Sequence, residues 1–282
     1  MNLFNSPAMI YWQISIEGNE NYLSEEYYLT VVDQILECRP LVVILVDRIG
    51  NLNEDILFNI VKRLKEANIL LKYEINAKNF ERISENLYEF VEVNFVINSN
   101  NMDKNFLHFL AKMNHSFQLK FVLTPDLIAK IETYLFEVLK INQLTGISFF
   151  QENFHYNIRA TSINQLMFLL TEAEERCNEK VKITYKDYES EIKNLSKNTK
   201  VQFDITIRPN GDIALHLVLN IVAGNVKNST LCKVWNSDIK DFWFKTEIKN
   251  LFIEFQSLSE QKFIDYADSE KQHQLMELME ES

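Results

Sequence analysis

The sequence predicts an α/β protein, a partial (β/α)6 TIM-like barrel followed by a small α+β extension. Two observations carry that prediction. Six apolar, β-branched runs alternate with segments of helical period, at about 25–30 residues per unit, the length a parallel βαβ crossover needs. After about residue 155 this rhythm breaks, and a run of turn-forming residues opens a different architecture. A doubly wound open sheet gives the same periodicity, so the alternation fixes parallel α/β before it fixes a barrel.

The strand expectations, in order, are Met9–Ile16, Leu41–Val46, Ile69–Ile75, Val91–Ile97, Phe117–Leu123 and Gly146–Phe150. Helices are expected near 24–38, 53–67, 79–89, 103–114 and 126–140. Helix 53–67 shows the reasoning. Asn53 caps it, Glu54 and Asp55 sit at the positive end of its dipole, and Ile56, Ile60, Val61 and Leu64 repeat at helical spacing. Beyond the sixth unit a helix from Ser162 to Cys177, starting at the cap-like Ser162-Ile163-Asn164, precedes a strand Val181–Tyr185. The polar stretch 189–202 reads as a linker. The predicted organisation is therefore a barrel over 1–188, an extension over 203–257 and an acidic helical tail over 258–282, with Leu275, Met276, Leu278 and Met279 as its apolar stripe.

Of the 282 residues 46% are hydrophobic, 20 of them Phe, which is enough for a sizeable core. The net charge of −11 argues against nucleic acid or an anionic membrane as partner, since both repel an acidic chain. No apolar run approaches the roughly 20 residues of a membrane-spanning helix, and no signal-peptide pattern opens the chain, so a cytoplasmic location is expected. Cys38, Cys177 and Cys232 are odd in number and far apart, which suggests neither a disulfide framework nor a local metal knuckle.

Parallel β/α folds gather ligands at the C-terminal ends of their strands. The polar residues expected there are Glu17, Asp47, Arg48, Glu74, Asn76, Asn98, Glu152 and His155. Glu17, Asp47 and Glu74 are the carboxylates a cluster-free enzyme would use in a barrel mouth, and Asp47, Glu74 and His155 the best available metal trio. The competing reading is that such residues cap helices and close turns, and no metal site is expected. Phosphate-binding glycine motifs and the GxSxG elbow are absent. His108 and His115 sit among Phe106, Leu107, Phe109 and Leu110 and read as packed or surface histidines.

The stretch "IRPNGDI", a "GN" about a dozen residues on, and a following helix with "VWNS" resemble the start of a SPASM domain, the auxiliary cluster-binding extension of radical S-adenosylmethionine (SAM) enzymes that modify peptides. The residues carrying the likeness are Arg208, Pro209, Asn210, Gly211, Asp212, Gly224, Asn225 and Trp235. Pro209 presets a turn, Asn210-Gly211 supplies positive φ, Asp212 can bond the turn's amides, Gly224-Asn225 makes a second turn and Trp235 anchors the helix.

Where that family places its cysteines, this chain departs. The first SPASM ligand position reads Ala214-Leu215-His216-Leu217, and no cysteine follows Cys232. The place of the radical SAM CxxxCxxC reads "ISIEGNENYLSEEYY", and the SAM amino-group motif reads "VDRIGNLNED", keeping Gly50. An iron–sulfur cluster needs four thiolates, or three when SAM takes the fourth iron, so neither cluster nor SAM is expected and radical SAM activity is not expected. The resemblance then implies a degenerate, non-catalytic relative that binds a precursor peptide or presents it to a peptide-modifying partner enzyme. Cluster-free enzymology at the strand-end carboxylates is the alternative, and a purely stabilising subunit a third. The net acidity would steer toward peptides with basic residues.

Overall fold

The computed structural model describes residues 5–16, 22–50, 52–98, 102–150, 160–177, 180–186, 203–215, 221–239 and 242. The 189–202 linker, the 258–282 tail, Glu17, Glu152, His155 and His216 lie outside them. The elements run β1 (Met9–Ser15), α1 (Glu25–Cys38), β2 (Val42–Asp47), α2 (Glu54–Glu66), β3 (Leu70–Asn76), β4 (Glu92–Ile97), α3 (Lys104–Lys112), β5 (Phe117–Val122), α4 (Pro125–Ile128), α5 (Ile131–Val138), β6 (Leu144–Phe150), α6 (Ala160–Cys177), β7 (Lys182–Lys186), β8 (Asp204–Ile207), β9 (Asp212–Ala214), β10 (Val222–Asn225) and α7 (Leu231–Val234). This is the α/β class the alternation predicts, with parallel strands flanked by helices.

The chain folds as two compact units. The first takes in 1–47, 51–72 and 190–282; the second takes in 48–50 and 73–189. In the first, β1 pairs in parallel with β2 on one side and with β8 on the other, and β9 and β10 continue antiparallel from β8. Ile10, Trp12 and Ile14 are buried at alternate positions of β1, and the Trp12 ring meets Tyr28 of α1 at 6.0 Å, so this face of β1 looks toward its helix.

In the second unit β4, β5, β6 and β7 are parallel and follow one another in sequence order. Right-handed crossovers between strands that advance in one direction put their helices on a single face of the sheet. The packing agrees. Phe95 of β4 meets Phe106 and Phe109 of α3 edge-on at 5.3 and 5.9 Å, and touches Phe117 of β5 at 6.0 Å. Phe121 and Phe149 stack at 5.1 Å one register step on. All of these rings but the half-buried Phe109 are buried, and burying one contributes roughly 2–3 kcal/mol.

Three local expectations fail. Residues 79–89 form not an α-helix but two short 3-10 helices, Ala77–Arg82 and Glu85–Glu89, separated by extended Ile83 and Ser84. The side chains of Asn79 and Arg82 reach back to carbonyls of the loop after β2, and that tertiary bonding fixes the tighter turns. The 126–140 helix is broken into α4 and α5. Thr124 and Pro125 start α4 one residue earlier than expected, with Thr124 accepting the Leu127 N–H at 3.1 Å, and Lys130 leads into the second piece. Helix α6 is already formed at Ala160, so Ser162 is inside it rather than its cap.

Helix α2 matches its expected start. The Asn53 side chain accepts the Asp55 N–H at 2.8 Å, and Leu57, Ile60, Val61 and Leu64 are the buried stripe while Ile56 is half-buried. Among the described residues no helix is long and apolar enough to cross a membrane. Replacing the capping residue, Asn53→Ala, removes one satisfied donor from the first turn and is expected to lower unfolding free energy by about 1 kcal/mol, read from the urea midpoint at unchanged slope.

Candidate functional site

The densest polar constellation belongs to the second unit. Arg48 follows β2, Glu74 lies in β3 and Lys120 in β5. The Glu74 carboxylate is 4% exposed and takes the Arg48 guanidinium on one oxygen, at 3.0 Å, and the Lys120 ammonium on the other. Burial alone would raise the pKa of this carboxyl; the Lys120 and Arg48 charges outweigh it and hold it at about 2. Glu74 is thus an ionised anchor between two cations, not a proton donor.

The loop carrying Arg48 is pinned from several sides. The Asn79 amide donates to the carbonyls of Arg48 and Ile49, both at 3.0 Å, and Arg82 donates to those of Ile49 and Gly50 at 3.2 and 2.8 Å. Gly50 takes φ of 69°, a backbone state that favours glycine. Buried Asn76 gives its N–H to the Arg48 carbonyl at 3.4 Å, and the Arg48 guanidinium stands 6.0 Å from the Phe150 ring centre. Asn98 is half-buried just past β4. Lys120 escaped the sequence reading because it is a mid-strand residue. The signal was the alternation of "FQLKFV", where Gln118 and Lys120 interrupt an otherwise apolar run.

Asp47, in the first unit, is 1% exposed and accepts a hydrogen bond from the Ser15 hydroxyl. Of the three carboxylates of the cluster-free reading, Asp47 is therefore bound to Ser15, Glu74 is matched by two cations, and Glu17 is outside the described residues. Among the described residues no three His, Cys, Asp or Glu side chains are placed to hold a metal ion.

The SPASM-like corner of the first unit is a hydrogen-bonded hairpin. The Gly211 N–H donates to the Arg208 carbonyl at 2.9 Å, and the Arg208 N–H to the Asp212 carbonyl at 2.8 Å. Gly211, not Asn210, carries the positive φ, 94°. The Asp212 carboxylate accepts the side-chain amides of Asn210 and Asn225, at 2.7 and 2.8 Å, rather than turn amides. Gly224 and Asn225 are the end of β10, not a turn; the turn follows, where Asn228 and Ser229 donate to the Asn225 carbonyl. Pro209 accepts the Leu23 N–H at 2.7 Å, burial of Arg208 lowers its pKa, and Trp235 is fully buried after α7.

Helix α1 is tied to this corner. The Gln34 amide donates to the Val226 carbonyl at 3.0 Å and accepts the Leu231 N–H at 3.1 Å. One turn on, the thiol of Cys38 meets that of Cys232; burial, then this hydrogen bond, raise the Cys38 pKa, keeping it a thiol. The fold thus brings together two cysteines 194 positions apart, a juxtaposition no spacing announced. Cys177 belongs to the second unit. Two thiols are half of what a cluster needs.

Substituting Glu74→Gln leaves two half-buried cations without their shared counter-ion and is expected to cost on the order of 3 kcal/mol in urea unfolding. Because folding lowers this carboxyl from 4.5 to about 2, its contribution, on the order of 3 kcal/mol, is fully present above pH 4.5 and fades as pH falls toward 2. The variant's stability should be correspondingly flatter across that window. At the hairpin, Gly211→Ala combines φ of 94° with a Cβ 2.9 Å from both Leu23 and Val226 side-chain carbons, and is expected to lower stability by about 1–3 kcal/mol in the same assay.

No protein-family model and no curated protein matches this sequence. Among solved structures, Streptococcus suis SuiB bound to S-adenosylmethionine superposes with a TM-score of 0.60 at 12% identity, over 90% of this chain and 66% of that one. This chain therefore spans slightly less than two thirds of SuiB. An HpcH/HpaI aldolase from Desulfitobacterium hafniense DCB-2 aligns at a TM-score of 0.37 and 8% identity, over 65% of this chain and 87% of the aldolase, too loosely to bear on the fold. The likeness to SuiB gives this chain a radical-SAM-like α/β fold.

Proposed function

We propose that this chain is a non-catalytic relative of the radical SAM/SPASM enzymes that binds a ribosomally made precursor peptide or presents it to a partner maturation enzyme. One observation carries the reading: the fold of a SAM-binding protein occurs here in a sequence with no CxxxCxxC and only three cysteines. A cluster that cleaves SAM requires thiolates held close together, and the two that meet, Cys38 and Cys232, are too few. Hydrogen bonds occupy the SPASM-like corner instead. Asp212, Asn210 and Asn225 bind one another, and Gln34 ties α1 to the residues beside α7. What such a scaffold retains is shape and surface, which suits recognition of an extended chain.

The deciding experiment has two parts. Protein purified anaerobically is assayed for iron and sulfide, and then titrated by calorimetry with candidate precursor peptides. Iron well below one atom per chain, together with saturable peptide binding, is the expected result. Near-stoichiometric iron and sulfide with a brown chromophore would overturn the non-catalytic reading, and the absence of binding by every candidate peptide would overturn the recognition reading.

A further inference from the structure

The strands of the second unit have two unlike faces. Under the helices lie Phe95, Phe117, Phe121 and Phe149. Side chains alternate along a strand, so the neighbours of these residues look the other way. Register then lays those neighbours out in rows across four strands: Asn94, Gln118, Gly146 and Lys182; next Val96, Lys120, Ser148 and Thr184; and finally Val122, Phe150 and Lys186. The Lys120–Glu74 pair and the Arg48–Phe150 contact fall on this same face. It is polar where the helical side is aromatic.

It is also cationic. Among the described residues of this unit Arg48, Lys120, Lys182 and Lys186 face two carboxylates, Glu74 and Glu92, and Glu92 already accepts the Gln118 amide at 2.6 Å. Lys182 and Lys186 are exposed, in β7, which among the described residues pairs with β6 alone. Deeper on the face, Asn94 is 1% exposed and its Oδ1 has no hydrogen-bond partner among the described residues. A buried acceptor of this kind is costly unless a donor reaches it.

We propose that this face is the docking surface for an extended, carboxylate-bearing peptide segment that runs along β7, with its acidic side chains against Lys182 and Lys186. The two lysines are four residues apart on one side of a strand, a separation of about 13 Å, so acidic residues at alternate positions of an added strand reach both. A peptide beside β7 gains backbone hydrogen bonds from the edge that no described strand pairs and points alternate side chains at the cationic face. The chain's charge of −11 does not forbid this. At physiological salt charges are screened beyond roughly 8 Å, so the local cations decide. The inference rests on the peptide-recognition reading and gives its ligand a sign opposite to the one net charge suggests.

The test uses the full chain and two fluorescent peptides of equal length, one with glutamate and one with lysine at alternate positions, read by anisotropy in 150 mM salt. The glutamate peptide is expected to bind and the lysine peptide not to. Reversing both exposed lysines, Lys182→Glu with Lys186→Glu, should weaken binding at least tenfold, while Lys182→Arg with Lys186→Arg should retain it. Equal binding of both peptides, or an unchanged affinity on charge reversal, overturns the proposal. If a precursor peptide binds wild-type and charge-reversed protein alike, this surface is wrong and peptide recognition stands. If the glutamate probe binds through the lysines while no precursor binds, the surface stands and the precursor reading falls.

Discussion

A carboxylate without water around it must be answered by positive charge, and in the second unit Glu74 is answered twice. That requirement positions the Arg48 loop, brings Lys120 of β5 into contact with β3, and sets which side of the sheet is polar. Removing one partner from such a cluster costs far more than the cluster contributes over an apolar replacement, because the remaining charges stay buried. The arrangement therefore fixes geometry more than it adds stability. Strand-end carboxylates in a β/α fold invite a catalytic interpretation; here the surrounding charge makes Glu74 a structural counter-ion.

The first unit solves a related problem with one carboxylate and several side-chain amides. Its hairpin and the segment after β10 are held by side-chain amides, with Asp212 gathering Asn210 and Asn225, and Gln34 bonding both a carbonyl and an N–H of the neighbouring segment. Each such bond contributes only about 1 kcal/mol, yet leaving any of these buried groups unmet would cost more. In the family that the sequence resembles, this region binds a cluster through thiolates. Here the same turn is organised by hydrogen bonds, and the buried thiol of Cys38 meets the half-buried Cys232.

Net charge and local charge disagree in this molecule. Acidic residues predominate over the chain as a whole, while the face of the second unit's strands opposite α3 collects lysines and an arginine. Only residue-by-residue register reveals this, since Lys120, Lys182 and Lys186 are scattered in sequence.

Much of the fold was legible because hydrophobic periodicity is a local property. All six strands of the repeat, helix α2 with its Asn53 cap, the strand near 181–185 and the parallel α/β class follow from spacing and composition alone. The failures came where distant groups intervened: Asn79 and Arg82 bonding a loop, and Gly224-Asn225 drawn into a strand by pairing with β9. The candidate site was less legible. Sequence placed Arg48, Glu74 and Asp47 at strand ends but could not say that Lys120 joins Glu74, that Asn94 lies on the same face, or that Cys38 and Cys232 touch. Periodicity records which way a side chain points along its own strand, whereas partners 46 or 194 positions away are chosen by strand order and register, which exist only once the chain has folded.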